Sequence, residues 1–264
     1  MPNGVLITGT TSGLGRALLA HYAGSGARVI AVNRRREPDL EAYYPAVRFE
    51  CVDVRSALEV EKIVVSLADA GELPDLFLLN AGINRVDNDE FFRLADYQAV
   101  VDTNLSGVLN FIQPLTQLPA GEVARHVIAI GSMASYVGNP YGLGYHTSKL
   151  ALRACFDAWS AMYAGTDLVF QQVLLGPIRT NMYTMADHFP AWMVRIKDAF
   201  SASLDDTVRA VSRFALSRRK KLLAPRRAAF LYLGMWLCQQ LIPSFFRGRK
   251  TRAGKARRAQ AGNP

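Results

Sequence analysis

Val5-Leu6-Ile7 runs directly into Thr8-Gly9-Thr10-Thr11-Ser12-Gly13-Leu14-Gly15, and a helical pattern over residues 14–23 follows at once. A short apolar run, a glycine-rich turn and a helix in immediate succession leave few folds open. The run lacks strict alternation, so it reads as a strand buried on both faces. The glycines permit a tight turn and a close approach of backbone to a ligand. The helix N-terminus behind them offers unpaired N–H groups and a positive dipole end, a setting for a phosphate.

The same alternation recurs along the chain. Apolar runs at 28–32, 47–52, 75–79, 127–130 and 168–174 read as further strands. Helical periodicity covers 57–70, 91–111 with one break, and 145–162. Regular β–α alternation with right-handed crossovers predicts an α/β fold, a single doubly wound parallel sheet. No solenoid repeat and no Gly/Ser-rich linker divides it.

The second strand ends at Asn33, followed by Arg34-Arg35-Arg36. An acid near this position would suit a ribose 2′-hydroxyl, whereas an arginine accommodates a 2′-phosphate. Asn33 and Arg34 therefore predict NADP(H) over NAD(H). Arg36 is expected to lie on a solvated loop.

Tyr145 and Lys149 are four residues apart at the start of the long helix, so they share a face. A nearby ammonium is expected to lower the phenol's pKa towards neutral proton transfer. Ser132 follows the fifth strand, thirteen residues before Tyr145, and Asn104 lies within the preceding helical stretch. His146 is expected to point elsewhere.

Thr8–Gly15, Asn80-Ala81-Gly82, Asn104, Ser132 and Tyr145-x3-Lys149 stand in one order at one set of spacings. That set resembles the short-chain dehydrogenase/reductase superfamily, over roughly residues 3–220, and implies its Rossmann fold. The resemblance implies that Tyr145 is the acid/base, with Lys149 lowering its pKa and binding the nicotinamide ribose. Ser132 would hydrogen-bond the substrate oxygen and Asn104 would hold a relay water. Thr8, Gly9, Thr11, Ser12, Gly13, Leu14 and Gly15 would line the cofactor's phosphates. Asp53 and Val54 would flank its adenine. Asn80, Ala81 and Gly82 would shape the adjoining wall, Asn80 either touching cofactor or tying strands together. Leu175-Gly176-Pro177-Ile178-Arg179-Thr180 matches the family's Pro-Gly-x-x-x-Thr loop apart from its first proline, so Gly176, Ile178 and Thr180 would lie along the nicotinamide. The implied activity interconverts a ketone and a secondary alcohol. A 3-oxoacyl-thioester reductase and a catalytically idle NADP(H)-binding protein stand as alternatives. A homo-oligomer is the implied assembly.

The C-terminal part departs from that pattern. The family's short final strand and Val-Asp-Gly-Gly-like loop are not recognisable. From residue 218 onward there are 13 Lys/Arg and no acid, whereas residues 1–217 carry a net −4. Residues 228–246 hold no charge and include Trp236, and seven bases follow within 247–258. The expected division is a domain over 1–224, an apolar segment over 225–246 and a disordered basic tail over 247–264. The apolar segment reads as an anchor at an anionic membrane surface, a packed helix over the substrate pocket or a subunit interface, or a spanning helix. A specific nucleic-acid role is not expected. The stripe Met185, Phe189, Trp192, Ile196, Phe200 predicts an apolar lid and a lipophilic substrate.

Cys51, Cys155 and Cys238 lie far apart without CxxC spacing. They predict buried thiols in a reducing, cytoplasmic setting, with no disulfide framework and no metal site. The N-terminus shows no secretory pattern.

Overall fold

In β1 (Gly4–Thr8) every residue is buried, with Val5 and Ile7 facing one layer and Leu6 the other. A strand buried on both sides needs helices on both faces. The structure, a computed structural model, describes residues 2–85, 92–138, 142–179, 195, 198–215 and 217–241. Its strands continue with β2 (Arg28–Asn33), β3 (Arg48–Cys51), β4 (Leu76–Leu79), β5 (Arg125–Ser132), β6 (Leu168–Leu175) and β7 (Lys221–Ala224). All pair in parallel, in the order β3-β2-β1-β4-β5-β6-β7.

The helices are α1 (Gly13–Gly24), α2 (Pro38–Tyr43), α3 (Ala57–Asp69), α4 (Leu94–Val101), α5 (Gly107–Gln117), α6 (Leu143–Met162), α7 (Leu204–Ala215) and α8 (Arg226–Leu241). One layer packs α1 and α7 on the sheet through Leu18, Tyr22, Val211 and Phe214. The other packs α3, α5 and α6 through Val60, Val64, Phe111 and Phe156. This is the doubly wound arrangement, and the sheet order reverses between β1 and β4. Ligands of such sheets bind at that switch, outside the strands' carboxyl ends.

Three features differ from the sequence expectation, and the expected break in the 91–111 stretch takes a specific form. β7 pairs with β6 through Gln172↔Lys221 to Leu175↔Ala224, so the short final strand is present. It is an edge strand four residues long whose Lys221 and Leu223 are exposed, too little for a periodic signal. The break in 91–111 is a π-helical turn, Asp102–Ser106, between α4 and α5. A short α2, with Pro38 in its first turn, bridges β2 and β3. The thiols are not buried: Cys51 is exposed and Cys155 and Cys238 half-buried, all three free. Cys51 ends the edge strand β3, which has a strand on one flank only among the described residues.

Candidate active site

The turn after β1 is tied into the sheet by two side chains. Thr8 Oγ1 accepts from the backbone N–H groups of Asn80 and Ala81, each at 2.9 Å. Asn80 Nδ2 donates to the carbonyls of Thr8 and Gly9, each at 3.1 Å. Asn80 therefore ties the ends of β1 and β4 together. Asn33 is buried, and its Oδ1 accepts from the Thr10 N–H at 2.8 Å while its Nδ2 donates to Thr10 Oγ1 at 2.9 Å. Thr10 was not anticipated, since nothing distinguishes it from its neighbours in the motif.

Gly9 holds φ +72°, and a methyl on Gly15 would lie 1.9 Å from the Gly9 carbonyl oxygen. Neither position accepts a side chain. Ser12 is extended and its hydroxyl makes no cap bond, and the first turn of α1 holds no acid. The first N–H groups of α1 thus face an open surface bordered by exposed Thr11 and Ser12. The cradle fits a pyrophosphate by its shape and its donors.

Arg34, Arg35 and Arg36 follow β2 and are exposed. Arg36 is held by Glu41, so it is paired and not merely solvated. Arg35 lines a cavity of about 290 Å³ with Asn33, Phe49 and Cys51. The Arg55 guanidinium bonded to Asp53 holds that carboxyl below its ordinary value, and the Arg34 charge contributes. Val54 beside it is buried.

Asn104 sits in the π-helical turn with 0% exposure. Its Oδ1 accepts from the Ile83 N–H at 2.7 Å, and its Nδ2 donates to the Ile83 carbonyl at 2.9 Å and to Ser148 Oγ at 3.2 Å. Ser148 Oγ in turn donates to the Tyr145 carbonyl at 2.8 Å. The Asn104 side chain thus joins the loop carrying Asn80-Ala81-Gly82 to the start of α6. Both amide protons are used, so it acts as a brace. Ser148 was not anticipated; its residue type carries no signal at that position.

β5 delivers Ser132 and α6 delivers Tyr145 and Lys149 to one place. Ser132 Oγ lies 3.2 Å from the Leu175 carbonyl and accepts from the Ala134 N–H at 3.1 Å. Burial pushes the Tyr145 phenol above its ordinary value, and the hydrogen bond with Ser132 draws it back only in part. Lys149 Nζ donates to the Ile130 carbonyl at 2.8 Å and lies 5.8 Å from the Tyr145 ring centroid. Its own pKa falls to about 8 because burial disfavours the ammonium. This differs from the expected lowering of Tyr145: in the chain alone, desolvation outweighs the Ser132 hydrogen bond. His146 points away, its Nδ1 lying 2.9 Å from the Ala134 carbonyl and 2.7 Å from that of Val137. With two carbonyls as partners, Nδ1 carries the proton and fastens the turn after Ser132.

Gly176 and Ile178 continue from β6, and Ile178 forms a parallel bridge with Ala202. Thr180 lies outside the described residues, as do Met185, Phe189, Trp192 and Ile196 and the whole basic tail over 247–264. Of the apolar C-terminal segment, Arg226–Leu241 is helical, and this α8 packs by Ala228, Ala229 and Tyr232 on the cluster with Met133 and Leu174. Its opposite face is open, with Phe230 75% and Leu241 76% exposed. No helix among the described residues is long and apolar enough to cross a membrane.

A family model described as short chain dehydrogenase matches residues 3–190. A 3-oxoacyl-(acyl-carrier-protein) reductase of Thermotoga maritima is 27% identical over 183 residues, covering 67% of this chain and 74% of its own. Among solved structures, a short-chain dehydrogenase from Streptomyces avermitilis matches with TM-score 0.76 at 20% identity, over 96% of this chain and 98% of that one. A short chain dehydrogenase/reductase from Burkholderia phymatum in complex with NAD matches with TM-score 0.74 at 18% identity, over 90% of this chain and 94% of that one. At these identities the solved structures speak for the fold alone.

Proposed function

The chain belongs to the short-chain dehydrogenase family, oxidoreductases of CH–OH and C=O groups, and from that premise we propose that it reduces a lipophilic ketone to a secondary alcohol with NADPH. The observation that carries this reading is the meeting of Ser132, Tyr145 and Lys149 beside the open N-terminus of α1, across the β1/β4 switch. NADPH, when bound, supplies the hydride. The turn Thr8–Gly15 would hold its phosphates, Asp53 and Val54 would flank its adenine, Ala81 and Gly82 would form the wall beside it, and Gly176 and Ile178 would lie along its nicotinamide.

The chain's own groups manage the proton. A half-buried phenol whose pKa is raised by desolvation stays protonated, as an acid must before it acts. Tyr145 gives that proton to the carbonyl oxygen while the Ser132 hydroxyl holds the same oxygen. Lys149 then faces the phenolate and stabilises its charge. The 3-oxoacyl-thioester alternative keeps all of these roles and changes only the substrate's far end. An idle NADP(H)-binding protein would bind NADPH and turn over no ketone, which a panel of ketones separates.

The fold serves either nicotinamide cofactor, and Arg34 makes the choice. Arg34 is exposed directly after β2, where a 2′-phosphate would come, with no acid at position 33 to repel it. Arg34→Ala is expected to weaken NADPH binding by about 1.5–3 kcal/mol, as for a charge-assisted hydrogen bond, and to leave NADH nearly unchanged. Fluorescence titration checks this; tighter binding of NADH than of NADPH by the unmodified protein contradicts it.

The free face of α8, with Leu233, Trp236 and Leu237 also exposed, is further proposed to meet either an anionic membrane or a second copy of the chain. Arg226 and Arg227 begin that helix, and the bases of 247–258 favour the membrane. Co-sedimentation with anionic vesicles at low salt, reduced at high salt, is the expected result, each base near the surface contributing about 1 kcal/mol. A dimer that ignores the vesicles assigns the face to the second copy.

A further inference from the structure

α8 is fastened near its start and near its end to two segments that border the site. Ala228, Tyr232, Met235 and Gln239 recur at three and four residues, so they form one stripe along the helix. At its start Ala228 is fully buried with Met133 and Leu174. A methyl on Gly176 would come 2.4 Å from the Ala228 Cβ, so helix and loop touch without a gap. Arg227 donates to the Ser201 carbonyl. The next residue, Ala202, is bonded to the loop after β6: its N–H donates to the Pro177 carbonyl at 3.0 Å and its carbonyl accepts from the Arg179 N–H at 3.1 Å. The start of α8 is therefore fixed to the loop that carries Gly176 and Ile178.

About 16 Å of helix, at 1.5 Å per residue, separates Ala228 from Gln239. There the stripe ends in a polar side chain. The Gln239 amide takes both backbone groups of Gly138, donating to the carbonyl at 2.7 Å and accepting from the N–H at 3.2 Å. Gly138 lies between Ser132 and Tyr145 in the chain. The stretch just before it is bonded to Ser132 itself and to the residue after Tyr145. The Ala134 N–H donates to Ser132 Oγ at 3.1 Å, and the carbonyls of Ala134 and Val137 lie 2.9 and 2.7 Å from His146 Nδ1. Residues 133–138 are thus held from β5 by Ser132, from α6 by His146 and from α8 by Gln239. The last of these holds comes from beyond the residues 3–190 that the family model matches.

We propose that Gln239 is a positioning residue of the carbonyl reduction: its two bonds to Gly138 fix the stretch 133–138, and with it the placement of the Ser132 hydroxyl relative to the Tyr145 phenol. This rests on the proposed reductase activity. α8, anchored at its start, acts as a brace whose far end sets the backbone between the two reacting side chains. A small displacement of a reacting group costs rate steeply, even when its cause lies away from the chemistry. The cofactor's phosphate cradle is built from other elements, so releasing the brace slows the chemical step and spares NADPH binding.

The test measures kcat for a lipophilic ketone, and NADPH affinity by fluorescence, in the unmodified protein, Gln239→Leu, Gly138→Ala and the double variant. Gln239→Leu is expected to lower kcat by about tenfold with NADPH affinity within about twofold, a split that general damage to the fold would not give. A methyl on Gly138 would meet Gln239 Nε2 at 3.2 Å and, among the described residues beyond its chain neighbours, nothing else within 4 Å. Gly138→Ala is therefore expected to lower kcat by about threefold alone, and to lower it no further in Gln239→Leu, where the contact is already gone. Losses that multiply in the double variant mark two independent effects and overturn the assignment. So does a kcat within twofold of the unmodified protein in Gln239→Leu with NADPH still bound, and either result leaves the reductase reading standing. NADPH binding without ketone turnover by the unmodified protein overturns both.

Discussion

Replacing Tyr145 by phenylalanine is expected to lower ketone turnover by about three orders of magnitude while NADPH affinity stays within about twofold. The change removes one oxygen and keeps the ring, so the packing of α6 is preserved. Ser132 keeps its bond to the Ala134 N–H and would remain free to bond the substrate oxygen in the proposed reaction. What disappears is the phenol that bonds Ser132 and lies beside Lys149. The effect therefore falls on kcat, as for a group that acts in the transition state. Retention of a tenth of the activity would place the acid elsewhere.

Lys149→Met is expected to act in two opposite directions. Turnover falls by about two orders of magnitude or more, because the phenolate formed at Tyr145 loses its facing charge. Folding stability of the cofactor-free protein at neutral pH rises, by about 1–3 kcal/mol. The reason is the burial of an ammonium that is 6% exposed, holds one carbonyl and has a pKa reduced from 10.5 to about 8. Between those values the unfolded chain binds more protons at this site than the folded one. Stability from this residue thus rises with pH through that window, and the penalty is fully present below it. The advantage of Lys149→Met over the unmodified protein should accordingly shrink from pH 8 to 10.5. Denaturant titrations of both proteins across that range check the sign. A variant less stable at pH 7 would show that Lys149 is a structural asset.

Much of this was legible in the residues. Val5-Leu6-Ile7 states a two-sided strand outright, and the Tyr145–Lys149 spacing places both on one helix face. The glycine turn announces itself because only glycine fits where a methyl would meet a carbonyl. Other features depend on quantities a sequence does not carry. The π-helical turn that places Asn104 is a shift in backbone hydrogen bonding, with no compositional mark. β7 is short, half exposed and preceded by a basic run. α8 is apolar on all sides, so its pattern cannot tell which face packs and which stays open. The direction of the Tyr145 shift is not readable from spacing, which shows that Lys149 is near but not how much water is removed around the phenol.

In the proposed reaction hydride moves to a carbonyl carbon while Tyr145 supplies the proton. Its most direct measurement uses NADPH deuterated at the transferable nicotinamide C4 position, a lipophilic ketone, and mass spectrometry of the product. The expected result is one deuterium on the carbinol carbon with the unmodified protein, and almost no product with Tyr145→Phe under the same conditions. Bound NADPH with no labelled alcohol, or labelled alcohol formed equally well by Tyr145→Phe, would contradict it.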